Sequence, residues 1–272
     1  NGGLIDRVDT RHDRRIMKYI ASLSFGKDSL AQIILIKRLG LPLDDVIYCD
    51  IRYTRDVSGE MPEMAEWIPT AEEILRREFG VQVRHLTAQY TFKDYFFRVK
   101  CGGKHKGEIY GFPFVIGAWC NSRLKVEVIN KYLNSVNDDI TEYIGIAYDE
   151  PHRYARLLEK STQKRVKRSI LYETKTTEDQ AFAICEEYGL ISPLYKTGLK
   201  RGGCWFCVKQ SVESLRHIWK YHPELWRELR DLEKVSRCTI GKGMTLAERE
   251  NKFVAESKQT SIFDFLEGGG ND

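Results

Sequence analysis

The chain has 272 residues, of which 42% are hydrophobic and 30% charged, and a formal net charge of +4. That length suits one large domain or a domain with an appendage, and the composition excludes a disordered or fibrous chain. No apolar run approaches the roughly 20 residues of a spanning helix, so no membrane segment is expected, and so small a charge suits phosphate-bearing ligands without arguing for DNA.

Residues 1–16 form an N-terminal extension with neither a signal peptide's apolar core nor an initial Met, and read as a product of processing. MKYIASLS (17–24) reads as a strand, KDSLAQIILIKRL (27–39) as a helix and DVIYCDI (45–51) as a second strand. EMAEWIPTAEEILRREFG (63–80) reads as a helix that ends at Gly80 and is interrupted at Pro69. VQVRHLT (81–87) and TEYIGIAY (141–148) are the third and fourth strands, and RSILYET (168–174) a weaker fifth. The run KRVKR (164–168) reads as solvated surface.

This alternation predicts an α/β fold, a parallel twisted sheet of about five strands with helices on both faces, over residues 17–195. Within it, KCGGKHKGEIYGFPFVIG (100–117) reads as a loop. A cysteine-bearing turn and helical patterns at 211–222, 223–235 and 244–257 make a C-terminal region of 196–257, and 258–272 reads as a flexible tail.

Between the first strand and helix lies SFGKDS (24–29). A loop at the carboxyl end of a parallel strand is where open α/β sheets bind ligands. Gly26 allows a tight turn, Ser24 and Ser29 offer hydroxyls, Lys27 adds a cation, and the helix N-terminus presents amides, a set that suits phosphate. Asp28 and Ser29 would equally serve a capped first turn, and the spacing leaves both readings open.

The seven cysteines, with no export signal, predict reduced thiols in a cytoplasmic setting. C-W-F-C (204–207) puts two thiols on one turn, a spacing shared by metal sites, redox pairs and packed thiols.

Five stretches, in order, resemble the phosphoadenylyl-sulfate (PAPS) reductase-like family of the adenine nucleotide alpha-hydrolase, or ATP pyrophosphatase (PP-loop), superfamily. Ser24, Gly26, Asp28 and Ser29 match the loop S-G-G-x-D-S, and Phe25 at its first Gly resembles the Ser-Phe-Gly of PAPS reductases. Asp50, Glu60, Pro62 and Glu63 match D-T-G-x-x-F-P-E-T across a longer insertion. WCNSRLK (119–125) resembles W-C-T-x-x-L-K, and IGIAYDEPHR (144–153) resembles G-x-R-x-D-E-S-x-R with Ala147 in place of Arg. PLYKTGLKRGGCWFC (193–207) resembles P-L-Y…G-x-x-R-x-G-C-W-x-C.

The resemblance implies an adenine-nucleotide-binding domain that takes ATP or a sulfonucleotide. Ser24, Phe25, Gly26, Lys27, Asp28, Ser29, Asp50, Arg123 and Lys125 would face the nucleotide, and Lys27, Asp28 and Arg153 would be catalytic. Asp149 and Glu150 would bind Mg²⁺ or cap a helix. The family's iron–sulfur members pair Cys-Cys with C-x-x-C. Here Trp119 precedes Cys120, so the implied metal set is Cys120, Cys204 and Cys207, with Cys101 as the fourth ligand and His105 a lesser substitute, for zinc or a [4Fe–4S] cluster. The alternative is three thiols packed beneath Trp119, Trp205 and Phe206.

The implied activity is cleavage of ATP to adenylate and pyrophosphate to activate a nucleic acid or protein acceptor, with sulfur transfer as an extension. One alternative is a PAPS or APS reductase, although the family's E-C-G-L-H tail is missing and Cys238 is the only late thiol outside C-x-x-C. Another is a non-catalytic nucleotide or nucleic-acid binder. Gln259–Phe263 (Q-T-S-I-F) resembles a sliding-clamp docking peptide, and would otherwise be an amphipathic end packed on the domain.

Overall fold

The computed structural model describes residues 17–199, 201–240 and 243–268, with side chains as far as Lys258. The expected extension 1–16 lies outside the described residues, and so do the side chains of Gln259–Phe263.

The chain runs β1 (Met17–Leu23), α1 (Lys27–Arg38), β2 (Asp45–Asp50), α2 (Pro62–Phe79), β3 (Val83–Thr87) and the short α3 (Phe92–Phe96). After the Gly-rich segment come α4 (Trp119–Asn121), a π-helical turn Ser122–Val126, α5 (Glu127–Ser135), β4 (Asp139–Ile144) and α6 (Pro151–Leu158). Then follow β5 (Arg165–Arg168), α7 (Ile170–Glu173), α8 (Glu178–Glu186), α9 (Pro193–Lys196), α10 (Val212–Tyr221), α11 (Pro223–Val235) and α12 (Leu246–Gly268). The stretch expected as a tail from 258 is thus helical as far as Gly268.

All five strands are parallel, in the order β3-β2-β1-β4-β5. Strands buried on both faces have apolar residues on both sides of the pleat. Ala21, Leu23, Val46 and Tyr48 join one apolar cluster with residues of α1, α2 and α8, while Ile20, Ile47 and Ile140 join a second with Leu133 of α5. The predicted α/β sheet with helices on both faces is therefore what forms. The first cluster continues without a break into Trp205, Phe206, Leu215, Ile218, Trp226 and Phe253, so the C-terminal helices share the core of the sheet domain. Among the described residues no helix is long and apolar enough to cross a membrane.

Three expectations need correction. Helix α2 is continuous through Pro69. Proline removes one backbone bond, but Met64, Ile68, Ala71 and Leu75 are buried on either side of it and hold the helix together. The fifth strand is the basic run Arg165–Arg168, not 168–174. Arg165 and Lys167 lie 2.8 and 2.7 Å from the carboxylate of Glu142, which is buried on neighbouring β4. The charges that read as solvated surface therefore hold an edge strand in register, while Ser169 caps Tyr172 and starts α7 where a strand was expected. Finally, the fourth strand stops at Ile144, and residues 145–148 are loop.

The strand order runs outward in one direction from β1 to β3 and in the other from β4 to β5, so a switch point lies between β1 and β4, where the loops leaving neighbouring strands diverge and leave a crevice. The loop after β1 is SFGKDS, and the loop after β4 starts at Gly145. A Cβ on Gly145 would lie 2.7 Å from the carbonyl of Asp28 and 2.8 Å from the amide of Ser29, so glycine is required for the two loops to meet.

Candidate functional site

At that crevice is a cleft of about 530 Å³, lined by Ser24–Asp28, Tyr48, Glu60, Lys125, Glu150, Arg153, Glu178, Arg201 and Cys204, among others. Six separate stretches of sequence converge on it.

The loop does not cap its helix. Gly26 is the N-cap of α1 and makes no side-chain cap bond, whereas the side chains of Thr91, Thr177 and Ser211 do cap α3, α8 and α10. Ser29 turns inward: its Oγ donates to the Gly26 carbonyl at 2.9 Å and accepts from the Ser24 amide at 3.1 Å. Asp28 accepts from Lys27 Nζ at 2.9 Å. Asp28 and Ser29 thus sit in the first turn of α1 without an N-cap bond, and of that 12-residue helix's first amides the Lys27 N–H meets the Tyr195 hydroxyl at the cleft.

The tight turn also has a different origin. Gly26 has φ −80°, which any residue adopts, and it is Phe25 that sits at φ 55°. A left-handed conformation in a non-glycine residue costs roughly 1–3 kcal/mol. The offset is burial: the Phe25 ring is wholly inaccessible and meets Tyr48 edge-on at 4.9 Å.

Lys27 lies between Asp28 and Glu178, at 2.9 and 2.8 Å. Partial burial pulls its ammonium down, but the bonds and charges of the two carboxylates outweigh this and hold it above its ordinary value. Asp149, expected at Mg²⁺ or a helix cap, accepts from the Glu178 amide at the start of α8. Glu150 remains in the cleft and pairs with Arg153 at 2.7 Å. On the other wall, Tyr48 donates to Glu60 at 3.2 Å. Burial pushes the Glu60 carboxyl up, against the pull of Lys125 and of that hydroxyl.

Lys125 and Arg123 part company. Lys125 lines the cleft, while Arg123 pairs with Glu127 on the exposed side of its helix and does not line it. Asp50 ends β2 beside the cleft, with its carboxylate held by Arg52 at 3.0 Å.

The C-W-F-C turn is docked at the cleft's edge by backbone. Glu60 and Cys204 form an antiparallel bridge, and the Trp205 amide donates to the Gly59 carbonyl at 2.9 Å. Phe206 stacks on Phe92 with ring centres 3.9 Å apart, and Trp119 stacks on the same ring at 5.2 Å. This aromatic layer carries Cys120 towards the turn. All seven cysteines are free. Burial, then the nearby Glu60, Cys207 and Cys120, push the Cys204 thiol well above its ordinary value, and burial with Cys207 pushes Cys120 up to about 11. Cys207 and Cys120 thus stand near Cys204, but among the described residues the three sulfur atoms are not gathered into a compact ligand group.

Cys101 is exposed in the Gly-rich segment, beside Trp119 and Arg123 on the outer surface. Its thiol lies 3.7 Å from the Val99 carbonyl, and nothing couples it to the other three. His105 contacts Glu108 and Arg237, away from the cysteine turn. Cys238 does not line the cleft. Sequence reasoning did not single out Glu178, Tyr48, Tyr195 or Arg201 as cleft residues. Arg201 and Tyr195 lie inside a recognised motif and were within reach, whereas Glu178 carries no signal beyond a helix start.

No family model and no curated protein sequence matches this chain. Among solved structures it is similar to the U34-tRNA thiolase NcsA from Methanococcus maripaludis with its [4Fe-4S] cluster. The identity is 19% and the TM-score 0.42, over 81% of this chain and 72% of that one.

Proposed function

We propose that the chain is an enzyme that binds ATP in the switch-point cleft and cleaves it between the α and β phosphates, activating an acceptor and releasing pyrophosphate. The observation that carries this reading is the uncapped N-terminus of α1 opening on the cleft beside Lys27. Amides at a helix N-terminus together with a lysine ammonium stabilise charge on a departing pyrophosphate. Lys125, Arg153 and Arg201 add cationic groups in the same cleft, and Glu150 and Asp28 would be the carboxylates that face a magnesium ion on the triphosphate.

The motif resemblance to the PAPS reductase-like group supports an adenine nucleotide as the ligand. Cys120, Cys204 and Cys207 would hold a zinc ion or an iron–sulfur cluster beside the phosphates, which when bound would supply a site for sulfur. Cys204 sharing the cleft with Lys27 supports sulfur transfer to a nucleic acid or protein acceptor as the extension of this activity. One observation favours the reductase alternative, the buried Phe25 in the loop. Against it, Cys238 stands away from the cleft that would hold the sulfonucleotide.

The test is to incubate the protein, purified without oxygen, with ATP–Mg²⁺ and bulk RNA or DNA, and in parallel with PAPS and a dithiol. The expected products are pyrophosphate and an equal amount of AMP, free or joined to the acceptor. ADP and orthophosphate, or sulfite from PAPS, would contradict the proposal. Nucleotide binding without turnover in any arm would favour the non-catalytic reading.

A further inference from the structure

A second group of ligand-type side chains lies apart from the cysteines. Among the described residues, Glu63, His217 and His222 offer ligand atoms that all lie within 4.8 Å of one another. Glu63 stands in the first turn of α2. His217 projects from α10, and His222 occupies the junction where α10 ends and Pro223 begins α11. The His222 backbone at φ −132° and ψ 64° breaks the helical path there. That break allows both imidazoles to address the same carboxylate.

Both imidazoles meet one atom. Nε2 of His217 lies 2.6 Å and Nε2 of His222 2.9 Å from Oε1 of Glu63. The other oxygen, Oε2, is buried and has no hydrogen-bond partner. As a purely hydrogen-bonded trio the arrangement crowds two donors on one oxygen and leaves the second unsatisfied, at a cost of roughly 1–3 kcal/mol. An ion ligated by both nitrogens and by the carboxylate engages all these atoms. The side chains are 6%, 15% and 24% exposed for His217, His222 and Glu63.

We propose that Glu63, His217 and His222 form a structural zinc site that staples the α10–α11 corner to the start of α2. Two imidazoles and a carboxylate match zinc's nitrogen and oxygen preferences. The trio does not line the cleft, so the ion would not touch a nucleotide held there, and its fourth position falls to water. It stands beside the cleft nonetheless, because Glu60 and Met64 on either side of Glu63 form part of its wall. The site does not depend on the cysteines or on any nucleotide.

Metal analysis of the full chain, combined with its zinc-edge X-ray absorption spectrum, tests this. The expected result is one zinc per chain with nitrogen and oxygen neighbours, over and above any zinc held by thiolates, and absent from His222→Gln and from Glu63→Gln. Those variants should keep any thiolate-bound metal, and chelation should lower the melting temperature of the unmodified chain more than theirs. A spectrum with sulfur neighbours alone, another metal in the nitrogen–oxygen shell, or variants that bind zinc as the parent does would overturn the proposal. Should neither variant fold, the spectrum of the unmodified chain still decides between these outcomes.

Discussion

At the scale of single residues, the SFGKDS loop exchanges the roles that its letters suggest. Glycine sits where backbone freedom is not needed, and phenylalanine takes the left-handed turn. Replacing Phe25 by Ala is expected to cost about 3–5 kcal/mol from lost core packing. Phe25→Gly should be no worse than Phe25→Ala, although glycine ordinarily costs about 0.5–1 kcal/mol more than alanine, because only glycine relieves the positive φ. Chemical denaturation of the pair checks this, and a Gly variant clearly less stable than the Ala variant would contradict it. The two basic residues of WCNSRLK provide a second contrast. Lys125→Gln is expected to weaken nucleotide binding roughly tenfold or more, on the scale of one lost charge-assisted bond. Arg123→Gln, on the exposed face, should leave affinity within about twofold in the same titration.

At the scale of elements, β1, α1, β2, β3 and the C-terminal helices were legible because their apolar patterns are local. The fifth strand was not. Its stability comes from Glu142 on the neighbouring strand, a contact that no window of sequence contains. Gly145 likewise looks like an ordinary motif glycine until the loops after β1 and β4 are seen to touch. Gly145→Ala should force those backbones apart, with a cost of roughly 1–3 kcal/mol in unfolding and a larger fractional loss of nucleotide affinity. An affinity equal to that of the unmodified chain would show that the loop does not hold the ligand. A further element-level contact has a pH signature. Partial burial pushes the Glu228 carboxyl of α11 up, and hydrogen bonds from Lys93 and Tyr53 outweigh it, so it lies below its ordinary value. A lowered carboxylate stabilises above its unfolded pKa and ceases to as it protonates. Glu228→Gln should therefore lower the melting temperature near neutrality, and the difference should shrink as the pH falls below about 4.5.

At the scale of the whole molecule, the fold brings six separated stretches to one crevice, and the sequence announced five of them as motifs in order. What it could not show is which side chains share that crevice. Arg123 and Cys101 stand within recognised or Gly-rich segments yet face outward, and Glu178 reaches Lys27 from a helix with no motif at all. The unbroken apolar core from Ala21 to Phe253 also means that the cysteine turn and the C-terminal helices are part of the same folded unit as the loop. The central claim is that this unit holds a nucleotide's phosphates on SFGKDS. It is tested most directly by the melting temperature of the protein with and without ATP–Mg²⁺, alongside Lys27→Gln. At about 100 times its dissociation constant, a bound nucleotide adds roughly 2.7 kcal/mol, which for a chain of this size is about 5–10 °C. A shift of that order in the unmodified chain, largely lost in Lys27→Gln, is the predicted result. An equal shift in both, or none in either, would contradict the account.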